Sequence, residues 1–209
     1  MVFKDLICVF IIKFLMWITI ILYEKVVFVK IGLVSDTHGD YKSWEKVFRF
    51  LKDCDIILHA GDVLYHGPRN PLPEGYDPKK LAEAINSCEI PILIAEGNCD
   101  AYVDQMVINV PITPYVFTVI EGKRIMVNHG HLLTDEEIEK LILRYSLDYF
   151  IVGHTHIPVV KKIGKCTLIN PGSTSLSKRE DKINSIGFIE MEKDRAYVVN
   201  LENGEKIID

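Results

Sequence analysis

The chain has 209 residues, 48% hydrophobic and 25% charged, with a formal net charge of −5. That length and apolar fraction fit one domain with a sizeable core, and the acidic balance argues against stable, nonspecific nucleic-acid binding through a basic surface. The five cysteines, at 8, 54, 88, 99 and 166, are irregularly spaced and contain no CxxC, which argues against a disulfide framework or a structural zinc cluster and makes a reducing cytoplasm the expected setting.

In chain order, the first feature is the apolar run LICVFIIKFLMWITIIL at 6–22, broken only by Lys13 and Thr19. A membrane-spanning helix needs about 20 mainly apolar residues. This run is shorter, has a lysine near its middle, and its flanks Lys4/Asp5 and Glu24/Lys25 show no charge asymmetry. No small-residue cleavage site follows to make it a signal peptide. The preferred expectation is that residues 1–28 are an extension upstream of a true start at Val29, with a membrane anchor as the alternative. The folded domain is expected over 29–205.

From Lys30 the pattern becomes that of an α/β domain. KIGLVS is short, β-branched and ends in a polar loop, so it reads as a buried strand. Trp44, Val47, Phe48 and Leu51 recur at helical spacing and predict a helix over 42–52. DIILHA (55–60) is a second strand, and HGPRNPLPEGYDP (66–78), with four prolines and two glycines, is a long loop. A helix through Leu81, Ala84, Ile85 and Cys88 starts just after Pro78, and PILIAE (91–96) is a third strand. The second half is richer in strands: YVFTVI and RIMVNH flank a turn at Glu121-Gly122. Thr134 and Glu137 form a capping box opening a helix at 135–145. DYFIVG, a hairpin around Gly164 and a last hairpin over 186–202 follow. Early βαβ units with late hairpins imply two packed sheets with helices outside.

The polar residues cluster at the carboxyl ends of these strands. Asp36 and His38 follow the first, Asp62 the second and Asn98 the third; His129 follows RIMVN, and His154 and His156 follow DYFIV. Such loops converge on one rim of an open α/β sheet, and glycines at 39, 61, 97, 130 and 153 allow sharp turns there. One Asp or His in a loop is ordinarily a cap or turn residue, but five clusters in register with five strand ends form a candidate metal site. The mixed imidazole and oxygen donors suit two divalent cations such as Mn²⁺, with Asp62 the natural bridge. Two such ions carry four positive charges. Asp36 and Asp62 cancel two, and a bridging hydroxide with one phosphodiester anion cancels the rest, so a small phosphodiester is the expected substrate and hydrolysis by that hydroxide the expected reaction. Arg69 and Asn70, in the proline-rich loop, are candidate substrate contacts because guanidinium matches phosphate. His59 reads as a packed histidine, and His131 stays undecided.

The ordered motifs Asp36-Thr-His38, Gly61-Asp62, Gly97-Asn98-Cys99-Asp100, His129 and Gly153-His154-Thr-His156 resemble those of the calcineurin-like metallophosphoesterase superfamily. The similarity runs over roughly 29–200, and GDVLYHGPRNPLPEGYDPKK with EGNCDAYVDQM looks closest to bacterial YfcE-type phosphodiesterases. The resemblance implies a four-layer α/β/β/α sandwich of two mixed sheets flanked by helices. It also implies a first ion on Asp36, His38, Asp62 and His156 and a second on Asp62, Asn98, His129 and His154. Much of the superfamily has histidine where this chain has Cys99, a residue that helps protonate the leaving group or bind phosphate. Cys99 thus becomes the candidate proton donor, and a thiol brings no positive charge. The alternatives carried with this reading are a phosphomonoesterase, a nucleotide pyrophosphatase, or a silent scaffold of the same fold. A homo-oligomer is compatible with the sequence.

Overall fold

A computed structural model of the protein describes residues 29–209; the apolar run at 6–22, and with it the anchor and start-site readings, lies outside the described residues. Among the described residues no helix is long and apolar enough to cross a membrane.

Three helices form where their ends are capped and one face is apolar. In α1 (Tyr41–Leu51) the Asp40 carboxylate accepts the Ser43 amide, and Trp44, Val47 and Leu51 are buried. Phe48, expected on the same face, is 38% exposed at its edge. α2 (Pro78–Asn86) begins with Pro78, whose missing N–H costs nothing in the first turn, and Asp77 caps it through the Lys80 amide. α3 (Asp135–Tyr145) has the predicted capping box and ends at Ser146 in the left-handed conformation. Thr134→Ala is expected to lower stability by about 1 kcal/mol, since it removes the acceptor of the Glu137 amide. Urea denaturation would show this as a lower midpoint with unchanged slope.

The strands build two mixed sheets. The larger has the order β12-β11-β10-β1-β2-β3-β4, with β1 (Lys30–Val34), β2 (Ile56–His59), β3 (Ile92–Ala95) and β4 (Ile112–Thr113) parallel. β10 (Ser185–Glu190), β11 (Arg195–Asn200) and β12 (Lys206–Ile208) add to it antiparallel. The smaller has the order β5-β6-β7-β9-β8. Its centre, β6 (Lys123–Val127), β7 (Tyr149–Ile151) and β9 (Cys166–Asn170), is parallel. β5 (Val116–Ile120) and β8 (Val159–Ile163) are antiparallel edges.

Period-two alternation divides the core into three layers. Ile31, Leu33 and Leu58 face Ile125, Val127, Ile151 and Ile169 between the sheets. Val34, Ile57 and Ile94 face α1 and α2, while Met126, Phe150 and Leu168 face Ile138 and Ile142 of α3. The fold is therefore the expected four-layer α/β/β/α sandwich. Each fully buried aliphatic side chain contributes about 1.5–3 kcal/mol, so the sheet-to-sheet layer fixes the two sheets against each other. It also sets the carboxyl ends of β1–β3 beside those of β6, β7 and β9. The sequence pattern missed β4, β12 and a 3-10 turn at Tyr102–Met106.

Candidate metal centre and its cleft

The loops after the parallel strands are tied to one another before any side chain enters. The Asp36 amide donates to Gly61 O at 3.0 Å, His38 to Asp62 O at 3.0 Å and Gly39 to Val63 O at 2.8 Å. Across the sheets, Ser173 Oγ donates to Asp36 O at 2.7 Å and the His154 amide to Asp36 Oδ2 at 3.1 Å. Five candidate ligands have left-handed backbones: Asp36 (φ 53°), His38 (φ 47°), Asp62 (φ 57°), His154 (φ 68°) and His156 (φ 58°). This conformation is unfavourable for residues with a Cβ and gathers at functional sites, where surrounding bonds over-determine it. Two glycines of the motifs serve by space rather than by φ. A Cβ on Gly97 would strike the Asp62 carboxylate and amide, and one on Gly153 would strike Ser35 Oγ.

The imidazoles are oriented from behind. His38 Nδ1 donates to Tyr65 O at 2.8 Å, His129 Nδ1 to Ala60 O at 2.7 Å and His156 Nδ1 to Leu176 O at 2.6 Å. A carbonyl only accepts, so each Nδ1 carries the proton and each Nε2 presents a lone pair inward. There His38 Nε2 and His156 Nε2 lie 3.1 Å apart. His156 Nε2 is 3.2 Å from Asp36 Oδ1, and His129 Nε2 is 3.4 Å from Asp62 Oδ2. His38 Nε2 stands 3.7 Å from both carboxylates. Among the described residues, Asp36 Oδ1 and His129 Nε2 are buried without a hydrogen-bond partner. Converging buried acceptors with no donor between them are costly unless a cation lies among them. Three groups have donor atoms within 4.8 Å of one another: Asp36/His38/His156, Asp36/Asp62/His129 and His38/Asp62/Cys99. The donor set thus fits divalent metal ions.

The other candidates stand at the open side. His154 and Asn98 line a cleft of about 700 Å³ together with Asp62, Cys99, Asp100, Arg69 and Asn70. The His154 ring packs edge-on to His129 at 5.3 Å, and Asn98 Nδ2 donates to Cys99 Sγ at 3.2 Å. Asn70 Nδ2 donates to His66 O at 2.9 Å, which ties down the loop that carries Arg69. His131 packs beside His129 and His154, at 5.4 and 6.1 Å.

Charge within the cage is strongly perturbed. Burial works against ionisation of Asp62, but the adjacent His129 imidazole, the Cys99 amide and the charge of His38 hold it well below the usual carboxylate range. Burial would likewise depress His129, yet Asp62 and Asp36 raise it to about 9, so in the metal-free protein a proton takes the place of a cation. Burial pushes Cys99 up to about 12, helped by the charge of Asp62, so it stays a neutral thiol.

Two supporting residues lie behind the ligands. His59 is the packed histidine expected: burial lowers it to about 4, its Nδ1 accepts the Gly61 amide at 3.1 Å, and its Nε2 lies 3.2 Å from Thr37 Oγ1. The sequence alone shows no role for Asp100 beyond its place in the motif. Its carboxylate accepts the amides of Asp62 (2.8 Å), Val63 (2.7 Å) and Gly97 (2.7 Å), locking two ligand loops together. Burial pushes it up to about 6 despite these bonds. Its place in Gly97-Asn98-Cys99-Asp100 was the available signal.

Residues 29–194 match the calcineurin-like phosphoesterase superfamily domain, and the chain belongs to that family of metallophosphoesterases. Among curated proteins it is 40% identical to Phosphodiesterase YfcE of Escherichia coli (strain K12) over 152 residues, covering 71% of this chain and 81% of that protein. It is 29% identical over 175 residues to a probable metallophosphoesterase of Methanothermobacter thermautotrophicus, covering 81% of this chain and 91% of the relative. The solved structure of the E. coli phosphoesterase Yfce superposes with a TM-score of 0.75 at 34% identity, covering 86% of this chain and 97% of the other.

Proposed function

We propose that this chain is a metal-dependent phosphodiesterase acting on small phosphodiesters in the cytoplasm, with two Mn²⁺ ions as its cofactors. The observation that carries it is the buried cage in which the Nε2 atoms of His38, His129 and His156 converge on Asp36 Oδ1 and Asp62 Oδ2, with Asp36 Oδ1 and His129 Nε2 left without a hydrogen-bond partner among the described residues. Asp36, His38, Asp62 and His156 would hold one ion, and Asp62, Asn98, His129 and His154 the other, with Asp62 shared. When bound, such a pair supplies Lewis acidity and an activated water for in-line attack at phosphorus.

The remaining work falls to the chain's own residues. Asp100 holds the amides of Asp62, Val63 and Gly97, and so keeps the shared carboxylate in place. Arg69 and Asn70 sit in the wall of the cleft, where they can contact the part of the substrate that lies beyond the scissile phosphate. Cys99 lines the same cleft next to Asp62 and would hand a proton to the departing oxygen. Diesters are favoured over monoesters by the charge balance, and by the 40% identity to a protein named a phosphodiesterase. The test is a panel of nitrophenyl mono- and diesters assayed with Mn²⁺, Mg²⁺ and chelator. Mn²⁺-dependent cleavage with kcat/KM at least about tenfold higher for diesters is expected; a monoester preference would overturn the assignment.

A further inference from the structure

We propose that the cleft recognises substrates bearing a second phosphate besides the scissile diester, and that Arg69 and Lys178 bind it. This deepens the phosphodiesterase reading and rests on it. Both side chains line the same cleft of about 700 Å³ but come from distant segments, Arg69 from the loop after β2 and Lys178 from the segment after β9. Both segments are fastened to the metal centre. The Lys178 amide donates to the His156 carbonyl at 3.3 Å. On the other segment, Gly67 packs so closely that a Cβ on it would lie 2.8 Å from Cys99 Sγ. Both cations are therefore placed by the loops that place the ligands. Among the described residues neither has a carboxylate within 4.0 Å, whereas the adjacent Arg179 is taken by Asp181.

Charge balance makes these cations surplus for a simple diester. Two divalent ions, when bound, would be neutralised by Asp36, Asp62, a hydroxide and one phosphodiester anion. Asp100 adds one negative charge at most, and that charge already faces three amides. Arg69 and Lys178 then leave the occupied cleft positive, and a second anionic group restores balance. Arg offers a planar fork for two phosphate oxygens and Lys a point charge for a third. The cleft volume falls within the roughly 300–1,000 Å³ range of whole small-molecule sites, so there is room for a linker between the two phosphates.

The test uses the Mn²⁺-loaded protein and two substrates that differ only in a terminal phosphate: thymidine 5′-(p-nitrophenyl phosphate) and its 3′-phosphorylated form. The 3′-phosphorylated substrate is expected to have about tenfold higher kcat/KM, carried by KM and shrinking as salt is raised. Lys178→Ala and Arg69→Ala should each pull the ratio toward one, while Lys178→Arg keeps it. Calorimetric titration with thymidine 3′,5′-bisphosphate against thymidine 5′-monophosphate gives a readout free of turnover, with the same tenfold ratio in Kd expected for wild type and its loss in Lys178→Ala. Equal affinities in wild type, or a preference untouched by Lys178→Ala, would overturn the second-phosphate site. Absence of cleavage of either ester strikes the phosphodiesterase reading instead, and the two Kd values still decide the binding site.

Discussion

Asp62→Asn is expected to lower kcat/KM for phosphodiesters by about 10³-fold or more, a loss of at least 4 kcal/mol of transition-state stabilisation. The substitution preserves shape and nearly preserves volume. It changes only the charge and one oxygen, and those are what the site uses. Asp62 Oδ1 accepts the Cys99 amide at 2.7 Å, while Oδ2 faces His129 Nε2 at 3.4 Å and His38 Nε2 at 3.7 Å. An asparagine can satisfy the amide with its oxygen, but it then turns an N–H toward histidines that are meant to share a cation. Metal affinity should fall with activity, and excess Mn²⁺ should recover only part of the rate. A second measurement separates charge loss from misfolding. In metal-free wild type, His129 is held protonated up to about 9 by Asp62 and Asp36, so metal uptake at pH 7.5 must expel that proton. Calorimetry in buffers of different ionisation enthalpy should count at least one proton released by wild type and clearly fewer by Asp62→Asn. An active Asp62→Asn enzyme with unchanged metal affinity would remove Asp62 from the site.

The parts of this site that could be read in the sequence are those set locally. A strand's end fixes where its next two or three residues lie, and six strands with parallel centres place their ends on one rim, so Asp36, His38, Asp62, His129 and His156 were legible. Even their strain had a local sign, because glycines flank them. The rest depends on chain that returns from far away. Asp100 acquires its role by reaching amides 37 and 38 residues earlier, and Lys178 lines the cleft on a segment whose backbone meets His156 O. No periodicity announces such contacts. β4 and β12 escaped for another reason: strands of two and three residues at sheet edges are too short to show alternation. Phe48 has helical spacing but sits at the edge of α1, since the stripe that α1 buries is narrower than the apolar run suggests.

Cys99→His is expected to raise kcat/KM, and most strongly for diesters whose leaving alcohol has a high pKa, where the gain should approach about 10²-fold, the lower range of general-acid catalysis. With a poor leaving group, the departing oxygen must be protonated as the P–O bond breaks, and the donor's pKa then governs the rate. Cys99 is a weak donor in this setting. Burial and the charge of Asp62 push its pKa up to about 12, so at neutral pH it is a thiol that neither releases a proton readily nor offers positive charge to the phosphate. A histidine at this position would have a reference pKa of about 6.5, raised by the same carboxylates, and would donate from the charged form. Nitrophenolate needs little help to leave, so there the gain should be smaller and come from charge alone. Space sets a condition, since Gly67 lies against the sulfur and a larger ring must turn toward the cleft. A plot of log(kcat/KM) against leaving-group pKa should therefore be steeper for wild type than for Cys99→His. Parallel lines would mean that Cys99 takes no part in proton transfer and only fills the gap between Asp62 and the loop carrying Arg69.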